Sequence, residues 1–226
     1  MPILQVPDYH ERVLFLGDSG TGKTELLRRF LYYTNAERWL VLDNKRSFEP
    51  IGKPNRDYVI VSTPYGWRWW FPRIVFQPSR EYNTGAWGAW VLEREYEKQV
   101  QWPKDKREGK LIVIDEALWL AKAGASDTLG RVQVTVRELK IGMWLCSQRT
   151  RWIPLEVKAN ATYIIVFPLG EEEDERDVIR MSKGRLTLAD LRNLPDFGFW
   201  VIRKFPGGRM EIHQFPGISL ELKDLS

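Results

Sequence analysis

Residues 17–24 read Gly17-Asp18-Ser19-Gly20-Thr21-Gly22-Lys23-Thr24, a glycine, four free positions and then Gly-Lys-Thr. That spacing suits a polyphosphate. Successive backbone N–H groups of such a loop form a nest for phosphate oxygens, and the helix that starts there, from Lys23, Thr24 and Glu25 onward, turns its positive end towards them. Lys23 would reach the β- and γ-phosphates of ATP, and the Thr24 hydroxyl would hold Mg2+. The glycines allow backbone angles and a closeness of approach that a Cβ would block. A second acidic feature, Asp115-Glu116, directly follows Leu111-Ile112-Val113-Ile114. Asp115 would serve the metal, usually through water. Glu116 can accept a proton from an attacking water, which favours hydrolysis, although helix N-termini also attract acids for their dipole alone. A third feature, Ser147-Gln148-Arg149, ends a later apolar run. Gln148 is neutral and polar where a strand tip could touch the γ-phosphate or its water. Arg137, Arg149 and Arg151 lie around that run, and one could stabilise transition-state charge from a neighbouring subunit.

These groups meet only if secondary structure delivers them to one edge. Val13–Leu16 reads as a strand before the loop and Lys23–Tyr33 as the helix after it. Further strands are expected at Trp39–Leu42, Tyr58–Ser62, Arg73–Phe76, Leu111–Ile114, Met143–Cys146 and Tyr163–Phe167. Residues 86–101 read as a helix with Trp87, Trp90, Val91 and either Leu92 or Tyr96 on its apolar stripe. Residues 117–140 read as helix-loop-helix, although Val132, Val134 and Val136 also alternate as a strand would. An acidic helix at Glu171–Met181, a short one near Leu188–Asn193 and a β-hairpin about Pro206-Gly207-Gly208 complete the chain. Strands alternating with helices predict an α/β fold, a mainly parallel sheet sandwiched between helices. Right-handed crossovers would bring the phosphate loop, Asp43, Asp115 and Gln148 to one rim.

Size and composition fit one domain over residues 1–226, with a core at about 12–168 and a tail of helices and hairpin. No apolar run is long enough to span a membrane, and the start lacks the blocks of a signal peptide. The single cysteine, Cys146, excludes an internal disulfide, and two histidines leave little scope for a metal cluster. The net charge of +4 permits polyanion binding without requiring it. Among 11 tryptophans, Trp67, Trp69, Trp70, Trp87 and Trp90 crowd one region. They could pack a subdomain, stack on bases or line a subunit interface.

The ordered blocks resemble the FtsK–HerA superfamily of P-loop, RecA/ASCE-like, DNA-pumping ATPases, and most of all the compact genome-packaging ATPases of double-jelly-roll viruses. Gly17 to Thr24 matches the first Walker motif and Leu111 to Glu116 the second. Leu42-Asp43-Asn44-Lys45 resembles an Asp-Pro-Lys segment, with Asn44 in place of proline. Arg137 through Arg149 resembles the family's arginine, Gly-Ile and apolar strand ending in Ser/Thr-Gln-Arg, with Lys140 where glycine is usual. The resemblance covers most of residues 12–168; residues 58–105 have no match. It implies Gln148 as polar sensor, Arg137 and Arg149 as candidates for a trans-acting finger, and a homo-oligomeric ring, usually a hexamer. It further implies double-stranded DNA and capsid or portal-vertex proteins as partners, in host cytoplasm or at the packaging vertex of a virion.

A packaging motor cannot depend on base sequence, so DNA contacts should be to phosphates. Lys122 and Arg131, after the second Walker motif, are the candidates, with Gly124-Ala125-Ser126 expected to make that segment mobile. Lys104, Lys106, Arg107 and Lys110 form a second basic cluster that reads better as a solvated loop. About twelve residues before the first strand leave no room for a HerA-type N-terminal barrel, and the tail is too short for a nuclease domain. The alternatives are a small-molecule or nucleotide kinase, which would not need Glu116 beside Asp115, and a cellular HerA/FtsK-like translocase.

Overall fold

The computed structural model describes residues 4–49 and 57–217. Nine strands form one sheet: β1 (Arg12–Leu16), β2 (Arg38–Leu42), β3 (Val59–Val61), β4 (Arg73–Phe76), β5 (Lys110–Ile114), β6 (Ile141–Ser147), β7 (Tyr163–Val166), β8 (Phe199–Lys204) and β9 (Met210–Phe215). Their order across the sheet is β3-β4-β2-β5-β6-β1-β7-β8-β9. The first seven pair in parallel, and β8 and β9 add an antiparallel hairpin beside β7. β6 therefore separates the strand of the phosphate loop from that of Asp115, as in RecA/ASCE-like sheets. The expected loop at residues 44–57 is irregular where described; the rest of it lies outside the described residues.

Helices cover both faces. α1 (Lys23–Tyr33) turns Leu26, Leu27, Phe30 and Leu31 inward, where Phe30 meets Trp144 edge-on and Phe15 at a tilt. On the other face pack α2 (Gly85–Gln101), α3 (Ala117–Ala121), α4 (Ser126–Leu139) and α5 (Leu155–Asn160). α6 (Glu172–Met181) and α7 (Leu188–Arg192) flank the hairpin. With both faces covered, every residue of β5 is buried, which is why Leu111–Ile114 reads as an unbroken apolar run rather than an alternating one.

Residues 117–140 are helix-loop-helix as expected, without the strand that the valine alternation also allowed, and three other expectations change. Residues 126–139 are helix, and Val134, on the outer face, is 59% exposed. The buried face of α2 holds Gly88, Val91, Leu92, Glu95 and Gln99, while Trp90 is 40% exposed. Trp87 and Trp90 instead form an edge-on cluster with Tyr65 and Tyr82, and the Arg94 guanidinium lies 4.0 Å from the Trp69 ring centre and 4.9 Å from that of Trp90. Trp69, Trp87 and Trp90 thus belong to a local aromatic unit, whereas Trp70 is 81% exposed. Lys110 is not part of a solvated loop: it is buried at the start of β5, paired to Glu95, whereas Lys104 and Lys106 are exposed. Residues 122–126 form a closed turn. Ala125 is buried, its N–H donates to Leu120 O, and that of Gly124 donates to Ala121 O, a left-handed helix stop at Gly124 (φ 79°). Lys140 likewise takes a left-handed backbone (φ 53°) between α4 and β6, which explains why glycine suits that position.

Candidate nucleotide site

Four loops converge at the carboxyl edge of the parallel strands. The first follows β1. Gly17 (φ 149°) packs so tightly that a Cβ would lie 2.6 Å from the Phe167 Cβ. Gly22 caps α1 with a left-handed backbone and no side-chain acceptor, so the N–H groups of the first turn face the loop unclaimed by a cap. Thr21 donates to Asp18 O at 2.8 Å, and Lys23 folds back to the same oxygen at 2.5 Å. Burial pushes the Lys23 ammonium below the ordinary lysine value, against the pull of Glu116 and Asp115. Ser19 and Gly20 are exposed at the loop tip, while the Glu25 side chain pairs with Arg28 at 3.2 Å and Arg29 at 3.0 Å along α1.

Asp115 ends β5. Thr24 donates to its Oδ1 at 2.9 Å, and its Oδ2 is buried with no partner among the described residues. Burial pushes this carboxyl up, opposed by the Thr24 hydrogen bond and reinforced by nearby Asp43. A divalent cation beside Asp115 and Thr24 would satisfy the orphan oxygen and favour the ionised form. Among the described residues no group of three or more His, Cys, Asp or Glu forms a metal cage. Mg2+ takes one or two protein oxygens together with substrate phosphates and water, and Thr24 and Asp115 could supply them.

Glu116 follows, with its side chain 8% exposed. Gln148, at the end of β6, donates to its Oε2 at 3.0 Å, and Lys45 Nζ lies 3.2 Å from the same oxygen. Asp43, ending β2, is fully buried; it accepts from Phe48 N at 2.7 Å and Gln77 Nε2 at 3.0 Å, which shapes the loop that carries Lys45. Lys45 makes a contact in this site that motif spacing did not predict. Its position in the Asp43-Asn44-Lys45 block was the available signal.

The arginines and surface lysines are arranged differently. Arg149 Nε lies 2.6 Å from Asp174 Oδ2, outside hydrogen-bond alignment, and Nη1 lies 3.2 Å from Glu171. Arg137 belongs to α4, and its side chain lies outside the described residues. Arg151 is exposed over the Trp152 ring. Arg131 is 2.5 Å from Glu93, and Lys122 is exposed. Cys146 is buried and burial holds its thiol protonated, as inert packing requires.

The loop after β1, the acid pair after β5 and the intervening β6 define the fold of a P-loop NTPase. Its solved likenesses include the genome packaging NTPase B204 of Sulfolobus turreted icosahedral virus 2 with ATP-gammaS (TM-score 0.65, 15% identity, 90% of this chain and 97% of that one). B204, the DNA-packaging ATPase of Sulfolobus turreted icosahedral virus, gives a TM-score of 0.64 at 18% identity over the same shares. VirB4 of Thermoanaerobacter pseudethanolicus gives 0.62 at 12% identity, over 94% of this chain and 90% of that one. These neighbours share the P-loop fold that the sequence resemblance implies. No protein-family model and no curated protein matches the chain. Among the described residues no helix is long and apolar enough to cross a membrane.

Proposed function

We propose that the chain is an Mg2+-dependent ATPase that drives double-stranded DNA, as the packaging motor of a virus working in a homo-oligomeric ring. The observation that carries this reading is the meeting of Lys23, Thr24, Asp115, Glu116 and Gln148 at one rim. The fold likeness to packaging ATPases supports it.

In this reading the loop N–H groups of residues 17–25 hold the phosphates, and Lys23 exchanges Asp18 O for the β/γ oxygens. Thr24 and Asp115 would hold Mg2+, which would supply positive charge to offset that developing on those oxygens. Glu116 takes a proton from a water as its oxygen bonds to the γ-phosphorus. The bond to the β–γ bridging oxygen breaks, and its electrons leave with ADP. Gln148, beside Glu116, orients that water. Arg149 is engaged within the chain, so Arg137 is the proposed trans finger. Capsid or portal-vertex proteins are the proposed partners, at a virion vertex or in host cytoplasm. A cellular translocase of the same superfamily is the second reading, favoured by the likeness to VirB4.

The test is ATP hydrolysis with and without double-stranded DNA, read beside mass in solution. An oligomer stimulated by DNA is expected. A monomer that transfers phosphate to a small acceptor overturns the proposal in favour of a kinase.

A further inference from the structure

The rim of the sheet opposite the phosphate loop carries a cavity of about 710 Å3. Arg12 at the start of β1, Lys158 of α5, Arg180 of α6, Lys183, Lys204 at the end of β8 and Arg209 in the hairpin line it, and Asp177 is the one carboxylate among its lining residues. Asp177 is already engaged. Lys158 Nζ lies 3.2 Å from its Oδ2, the Thr150 hydroxyl 2.6 Å from the same oxygen, and Arg180 pairs with Oδ1. Burial pushes the Asp177 carboxyl up, and these partners outweigh it and hold it below the usual aspartate value. Arg209 lies over the Phe205 ring and 3.5 Å from Glu211.

Lys183 and Lys204 differ from these. Among the described residues neither has a carboxylate within ion-pair distance. Among the described residues the Lys204 ammonium donates only to Lys158 O, at 3.4 Å. Burial pushes its ammonium below the usual lysine value, and the Lys183 charge pushes it further the same way. Two like charges converging on a cavity raise its positive potential and are relieved by an anion between them. The cations come from separate elements around a space far larger than one phosphate group, so several phosphates in series fit it better than one.

We propose that this cavity receives the phosphodiester backbone of duplex DNA, with Lys183 and Lys204 as its principal contacts. The choice of DNA rests on the proposed function; the preference for phosphate does not. It moves the DNA contact away from Arg131, whose charge is matched by Glu93.

The test uses the full chain and a Lys183→Gln/Lys204→Gln variant, with a labelled duplex titrated across a salt series. Tripolyphosphate is the competitor, and DNA-free ATP hydrolysis is the control for folding. The variant should hydrolyse ATP at the basal rate, bind duplex several-fold more weakly, and lose about 2 from the slope of log affinity against log salt. Lys183→Gln alone, at an exposed position, should lose about 1. If the wild type binds duplex and the variants keep its affinity and slope, the cavity proposal is overturned and the motor reading survives. If the wild type binds tripolyphosphate at these lysines but no duplex, the DNA assignment falls together with the DNA half of the proposed function.

Discussion

Lys45 forms an ion pair with Glu116 across the nucleotide site, its Nζ 3.2 Å from the oxygen that Gln148 also engages. The proposed base is therefore held by a cation from a different strand end. Lys45→Met should free Glu116 and raise DNA-free ATP hydrolysis, by up to about 5-fold, the equivalent of about 1 kcal/mol for a partly exposed pair. A fall in that rate would instead give Lys45 a direct part in turnover.

Glu116→Gln keeps the shape of the site and the Lys23 contacts. It should bind ATP while losing a factor of about 100 or more in turnover. Equilibrium binding of a fluorescent ATP analogue, beside steady-state phosphate release, measures both; undiminished release removes Glu116 as general base.

Arg137→Ala subunits should be inactive alone and regain hydrolysis when mixed with Lys23→Ala subunits, since each supplies what the other lacks. Arg149→Ala should behave differently. It breaks the contact with buried Asp174 and should lower the melting temperature, by several degrees for a loss of about 2 kcal/mol. Mixed rings without recovery would exclude a trans role for Arg137.

Gly17→Ala places a methyl group 2.6 Å from the Phe167 Cβ in a backbone conformation that favours glycine. It should destabilise the chain by about 1–3 kcal/mol and weaken nucleotide binding. Thermal melts with and without ATP separate the two effects.

The Glu95–Lys110 pair, buried between α2 and β5, predicts acid sensitivity. Burial pushes the Glu95 carboxyl up, but Lys110 and Lys98 outweigh it and bring it to about 2, from 4.5. A carboxyl depressed by folding contributes stability above its unfolded value. That contribution should fade as pH drops from about 4.5 towards 2. Lys110→Met alone should cost about 3 kcal/mol, and adding Glu95→Leu should recover much of it. Denaturant midpoints across this pH range test both statements.

Motif spacing and apolar runs single out in the sequence the residues that meet at this rim, because a phosphate loop needs glycines at fixed positions and a doubly covered strand must be apolar throughout. Lys23–Tyr33 and Arg73–Phe76 have the bounds expected of them. What stayed hidden depends on partners far apart in the chain. Glu95 and Gln99 face inward on α2 because Lys110 and the carbonyl groups of Glu108 and Leu139 await them. The tryptophans that seemed their natural substitutes lie outward. The mobility expected at Gly124 was read from composition, whereas two backbone hydrogen bonds close that turn. Arg131 and Arg149 look available in sequence because Glu93 and Asp174, their partners, lie on other helices.

Thr150, two residues beyond Gln148, ties the segment after β6 to α6. Its hydroxyl lies 2.8 Å from Asp174 and 2.6 Å from Asp177, one turn apart on α6, and Asp177 is a wall of the basic cavity. α6, 10 residues and about 15 Å long, thus runs between the tip of β6 and the cationic rim. Linkage gives this a thermodynamic form. Whatever factor ATP applies to the affinity of the cavity for its anion, the anion must apply to the affinity for ATP. Titrating one ligand at fixed levels of the other would therefore yield a single coupling constant from either direction, and Thr150→Val, which removes the shared hydroxyl, is the substitution expected to bring that constant towards one.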